Sequence, residues 1–182
     1  MIRRAAVGLL ALAVVLLGAC RRVSPPMLAP SALTATRHFK VLPVYWVGMR
    51  FDGVPLTAAD RPADYDPSLG MRVYYGDCLR HRSPLGSGGC TLPLEITSVL
   101  LKVHSNQPLG VHHATHRRGV PAVIFDHGRS IELYTGRVAI DIFATTARRA
   151  ERAVRALRTL NTRPSYRSGP LPPPDYSLVP WD

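Results

Sequence analysis

The segment Pro121–Phe143 constrains the fold more than any other part of the chain. It contains three short β-rich runs, PAVIFD, RSIELY and RVAIDIF, separated by His127-Gly128 and Thr135-Gly136. Each break carries a glycine, the residue that enters left-handed turn conformations without steric cost. Within the runs the apolar residues alternate. Ile131 and Leu133 share one face, and Val138, Ile140 and Ile142 share one face. The pattern predicts a three-stranded antiparallel meander. A helix is expected directly after it, over about Thr146 to Leu160, with Thr145 as its N-cap. Ala147, Ala150, Val154 and Leu157 recur at helical spacing, and Ala153 and Leu160 widen the stripe. Arg148, Arg149, Arg152, Arg155 and Arg158 fill the remaining positions, and Glu151 is placed to pair with Arg155 one turn on. We read this arginine side as the solvated face of a helix packed on the sheet, with polyanion or lipid contact as the alternative. The expected fold class is α+β: an antiparallel sheet with a C-terminal three-stranded meander and one main amphipathic helix packed on it.

Further strands are expected at Val41–Val47, Arg72–Tyr75 and Leu92–Val103, which are rich in β-branched, leucine and aromatic residues. These elements bound a single domain, residues 38–161. Residues 162–182 hold six prolines, three of them consecutive at Pro172-Pro173-Pro174. Such a stretch cannot be a helix or a central strand, so an extended polyproline tail is expected. Its Tyr166, Tyr176 and Trp181 are expected to pack back on the domain; the alternative is docking to a partner.

At the other end, Arg3 and Arg4 precede an uncharged apolar run from Ala5 to Leu17. The run falls short of the roughly 20 residues that a membrane-spanning helix needs, and it suits the core of an export signal. It ends in Leu17-Gly18-Ala19-Cys20. This ending resembles the lipobox of bacterial prolipoproteins. The resemblance implies that residues 1–19 are a signal peptide, removed before Cys20, and that the Cys20 thiol carries a diacylglyceryl group. Residues 20–37, with Pro25, Pro26 and Pro30, then read as a lipidated disordered tether. The implied location is the extracytoplasmic side of the cell membrane, and the chain as a whole resembles the small lipoproteins of GC-rich bacteria.

Composition refines the choice of partners. Loss of Arg3 and Arg4 leaves 21 basic against 12 acidic residues, a net charge of +9, and lysine occurs only as Lys40 and Lys102. An exported domain does not meet chromosomal DNA, so we read no nucleic-acid partner. The charge instead suits anionic lipid or an anionic envelope polymer. With Cys20 committed to lipid, Cys78 and Cys90 remain as one pair in an oxidising compartment. Pro84, Gly86, Gly88 and Gly89 let the interval between them close, and a structural disulfide is expected.

The candidate chemistry is sparse. His112, His113 and His116 form the densest ligand-bearing cluster, and they are the residues read as a metal site if the protein holds one. Against that reading stand Arg117 and Arg118, whose charges disfavour a dication, and the lack of a His-Glu-x-x-His arrangement. Asp64 and Asp66 begin like a calcium loop, but Leu69 and Tyr75 occupy the positions of its glycine and its final glutamate. Asp60, Asp64 and Asp66 therefore read as turn residues. Gly86-Ser87-Gly88-Gly89 lacks the lysine of a phosphate loop. Tyr45, Trp46, Tyr74 and Tyr75 read as sheet packing or a pocket lining, with the Asp77-Cys78 corner beside them. No cofactor motif and no catalytic residue is assigned. The reading is a lipid-anchored binding or interaction module of the cell envelope. Its alternatives are an envelope hydrolase or metal-dependent enzyme using His112, His113 and His116, and an accessory subunit that docks through the proline-rich tail.

Overall fold

The structure, a computed structural model, describes residues 30–77, 79–81, 89–104, 112–162 and 169–179, with backbone alone at 30–32, 79–81 and 89–90. In chain order the strands are β1 (Tyr45–Trp46), β2 (Arg50–Phe51), β3 (Val54–Ala59), β4 (Met71–Tyr75), β5 (Leu79–His81), β6 (Gly89–Thr91), β7 (Leu94–Leu100), β8 (His113–Arg117), β9 (Val120–Phe125), β10 (Ser130–Thr135), β11 (Val138–Ala144) and β12 (Arg158–Thr159). The helices are α1 (Pro30–His38) and α2 (Ala147–Ala156). Eight strands form one antiparallel sheet in the order β2-β3-β4-β7-β11-β10-β9-β8. From β8 to β11 neighbours follow chain order. β7 then inserts between β11 and β4, so the centre of the sheet is built from residues far apart in sequence. β1 pairs with β12, and β5 with β6, as separate two-stranded ribbons. The molecule is thus α+β, a mostly antiparallel sheet with one main helix.

The strand period of two decides which residues enter the core. Val73, Tyr75, Leu94, Ile96, Ile131, Leu133, Val138, Ile140 and Ile142 are buried on one side of the sheet, beneath Ala150, Ala153, Val154 and Leu157. α2 starts one residue later than expected, with Thr146 as its cap: the hydroxyl accepts from Arg149 N at 3.2 Å. It also ends sooner, because residues 158–159 pair with β1 instead. The Glu151–Arg155 pair is not the one that forms. Glu151 instead accepts from Arg117 of β8 at 2.9 and 3.0 Å, while Arg149 and Arg152 both reach Asp52. Two of the five arginines, Arg149 and Arg152, thus share one carboxylate within the domain.

Both ends of the domain extend past the boundaries expected from composition. Residues 30–37, expected as the end of the tether, and His38 form α1, which buries Leu33 and Thr36. The apolar side chains beyond position 30 have a core to enter, and that outweighs the local proline signal. At the other end Leu171 and Val179 of residues 169–179 are buried against the domain, whereas Tyr176, expected to pack back, is exposed. Leu171 N donates to Arg118 O at 2.9 Å, and the Thr135 hydroxyl donates to Pro172 O at 2.7 Å. Cys78 and the Cys90 side chain lie outside the described residues, as do Tyr166 and Trp181; the Cys90 backbone pairs with that of Arg80.

Asn161 stitches the N-terminal segment to the end of the core. Its side-chain oxygen accepts from Val44 N at 2.8 Å, and its amide donates to Phe39 O at 2.7 Å and Leu42 O at 2.8 Å. Asn161→Ala should cost about 2–3 kcal/mol, because three backbone groups lose their partner at once. Urea denaturation measures this, and a cost below about 0.5 kcal/mol would show that water replaces the amide freely.

Candidate functional site

The side of the sheet opposite α2 is only partly apolar. Val99, Leu101, Val123, Tyr134, Ala139 and Val179 form a second, smaller cluster there. Beside it the same side carries Arg72 and Tyr74 of β4, Glu95 and Thr97 of β7, Asp141 and Phe143 of β11, and Glu132 of β10. Cross-strand register sets these groups in rows. Thr97 lies opposite Asp141, and Asp141 lies opposite Glu132; in the next row Tyr74 lies opposite Glu95, and Glu95 opposite Phe143. Two carboxylates directly opposite on neighbouring central strands repel one another. A sheet keeps such a pair only where something compensates it.

His104 supplies the compensation in this structure. The turn Leu101–Val103 ends β7: Leu101 N donates to Arg137 O at 2.9 Å, and the Leu101 side chain plugs the small cluster. His104 N then donates back to Leu100 O at 3.1 Å, which folds the imidazole over β10 and β11. His104 Nε2 lies 2.5 Å from Glu132 Oε1 and 3.7 Å from Asp141 Oδ1. The three side chains are 14%, 7% and 15% exposed, respectively, so they face one another in a largely dry place. Asp141 Oδ1 is sealed from solvent and accepts no hydrogen bond among the described residues. The Tyr134 ring stands 6.5 Å from the imidazole, centroid to centroid.

The electrostatics follow from that burial. For Asp141 burial is the largest influence, opposed by the His104 charge and reinforced by Glu132 and Glu95; its carboxyl is pushed up to about 7. Burial alone would push the His104 imidazolium down. The hydrogen bond to Glu132 and the charges of Asp141 and Glu132 outweigh it, and the net direction is up. Burial also raises the Glu95 carboxyl in the next row and the Tyr134 hydroxyl, the latter helped by Glu132. Burial and mutual charge thus bring the Asp141 carboxyl to neutrality beside an imidazole whose proton is held more tightly than usual.

One ligand atom from each of His104, Glu132 and Asp141 lies within 4.8 Å of the other two. Among the described residues this is where metal-ligating side chains converge. His112, His113 and His116 are all exposed, and they lie at and along β8, whose extended backbone turns His113 and His116 to opposite faces. The aspartates diverge as well. Asp66 accepts from Ser68 N at 2.8 Å in a turn, Asp64 pairs with Arg61, and Asp60 holds Arg72 at 2.9 Å and the Tyr74 hydroxyl at 3.2 Å. Tyr45, Trp46 and Tyr75 are core residues, and Tyr74 alone of that set stands on the polar side. The Asp77 side chain is exposed. Sequence reasoning passed over Glu132 and Asp141 because each occupies a polar slot of an alternating strand. Counting back through the Thr135-Gly136 turn pairs 132 with 141, so that signal was present; the placement of His104 was not. The chain matches no family model, no curated protein and no solved structure.

Proposed function

We propose that the protein is a lipid-anchored, extracytoplasmic binding or interaction module of the cell envelope. The observation that carries this reading is Leu17-Gly18-Ala19-Cys20 at the end of an apolar run that follows Arg3 and Arg4. Diacylglyceryl on Cys20 anchors the chain, since each buried methylene contributes about 0.8 kcal/mol and two chains hold stably. The frame of the module is the C-terminal three-stranded meander with α2 packed on it, and its partner is an envelope protein or an anionic envelope polymer. Two features of the structure favour binding chemistry on the polar side of the sheet: the buried His104, Glu132 and Asp141, and the neighbouring Tyr74 and Phe143. Docking through the proline-rich tail is less well supported. Gly136 N donates to the carbonyls of Pro172 and Pro173 at 3.1 and 3.2 Å, so that part of the tail is engaged by the domain itself. Among the described residues no helix is long and apolar enough to cross a membrane, and the anchor in this reading is the lipid.

Replacement of the anchor tests the address. In a bacterial host, Cys20→Ser should move the protein from the membrane fraction to the soluble extracytoplasmic fraction, or leave it attached by an uncleaved signal whose mass retains residues 1–19. A Cys20→Ser protein that is cleaved at the same place and stays in the membrane fraction would overturn the lipid anchor.

A further inference from the structure

We propose that His104, Glu132 and Asp141 form a binding site for one divalent transition-metal ion, with zinc the first to test. The proposal stands on geometry and is independent of the protein's address. The ligand atoms are His104 Nε2, Glu132 Oε1 and Asp141 Oδ1, one on each of three chain segments held by sheet register and by the Leu101–Val103 turn. A zinc ion with bonds of about 2.0–2.2 Å keeps neighbouring donors roughly 3.3–3.5 Å apart. The pair at 3.7 Å has to close by only about 0.2–0.4 Å to meet that spacing. The pair at 2.5 Å opens by about 1 Å when the ion takes the place of the proton between imidazole and carboxylate.

Three features distinguish this cluster from a structural ion pair. Asp141 Oδ1 is sealed from solvent and has no hydrogen-bond donor among the described residues, an arrangement that costs free energy unless a proton or a cation completes it. Glu132 and Asp141 face one another across the sheet, so a single positive imidazole leaves one carboxylate uncompensated; a dication balances both while the imidazole stays neutral. The cluster also lies at the edge of the open part of the polar side, where His104 and Asp141 keep some exposure. That residual exposure gives an ion a way in, and zinc commonly keeps a fourth position for water or substrate.

The donor set selects the class of metal. One imidazole and two carboxylates form a borderline nitrogen–oxygen set suited to zinc, manganese or iron in the divalent state. Calcium requires six to eight oxygens and magnesium a near-octahedral oxygen shell, neither of which three donors including a nitrogen provide.

The test is calorimetric titration of zinc into the full chain, purified in detergent from whole cells and stripped with chelator. The expected result is one ion per chain with a dissociation constant of about 10 µM or tighter. Asp141→Asn and Glu132→Gln should each weaken binding by about 10- to 100-fold or more, with the far-ultraviolet circular dichroism unchanged. The triple variant His112→Ala, His113→Ala, His116→Ala should bind as the parent does. Absence of saturable binding below about 100 µM would overturn the site. So would binding that survives both carboxamide variants, binding that the triple-histidine variant abolishes, or calcium binding tighter than zinc. If one carboxamide variant fails to fold, the other still decides.

Discussion

The metal-free protein should lose stability as pH rises from about 5 to about 9, by about 2–4 kcal/mol. The Asp141 carboxyl sits at about 7 in the fold, against 3.8 for an ordinary aspartate. The folded chain therefore holds a proton that the unfolded chain has released. The stabilisation this gives is complete below about pH 3.8 and is lost as pH rises through about 7. His104 acts in the same direction. Its pKa is raised above 6.5, so its contribution is complete below that value and is lost as pH passes the folded one. Asp52 and Asp66, lowered by hydrogen bonds to Arg149 and to Ser68, respectively, act only at acid pH, below the window in question. Asp141→Asn removes the larger effect. The variant should match or fall below the parent at about pH 5 and exceed it by about 1–3 kcal/mol at about pH 9, where the parent keeps two carboxylates facing one another. Guanidinium unfolding at several pH values measures this. A flat or rising profile for the metal-free parent would show that water or a rotated side chain already relieves Asp141.

Gly70→Ala should destabilise the fold by about 3 kcal/mol or more, while Gly53→Ala should cost only about 1 kcal/mol. Both glycines have positive φ, +72 and +78, so an alanine is strained at either. They differ in what surrounds them. A Cβ on Gly53 meets nothing within 4 Å, and its cost is backbone strain alone. A Cβ on Gly70 falls 2.4 Å from Ser98 O and 3.0 Å from Val99 Cα. Those atoms belong to β7, a central strand held on both sides by β4 and β11, and they cannot withdraw without breaking the ladder. Gly70 also closes the turn from Asp66, whose carbonyl accepts its N–H at 2.9 Å, and the turn delivers the chain into β4. Equal costs at the two positions in urea titrations would mean that the sheet yields where this account holds it rigid.

Much of the fold is legible in the sequence where apolar alternation and local turns act together. Ile131, Leu133, Val138, Ile140 and Ile142 read as faces of strands and are buried, and Ala150, Val154 and Leu157 read as the inner stripe of a helix and are buried too. Strands that rely on distant partners are harder to read. β3 contains Pro55, which argues against a strand by composition, yet it lies between β2 and β4. β8 is a histidine- and arginine-rich edge strand with exposed and half-buried residues, and its local pattern is that of a loop. The candidate site fell between these cases. The facing of Glu132 and Asp141 is a matter of turn length and was there to be counted. His104 reaches them only because the chain folds back after β7, a tertiary event without local periodicity.

The most direct test of the account is the intact mass of the protein purified from its own cells under native conditions, without added metal. The account predicts a chain that begins at Cys20 and carries a diacylglyceryl group. A chain that retains residues 1–19, or one that begins beyond Cys20 or at an unmodified Cys20, would contradict it.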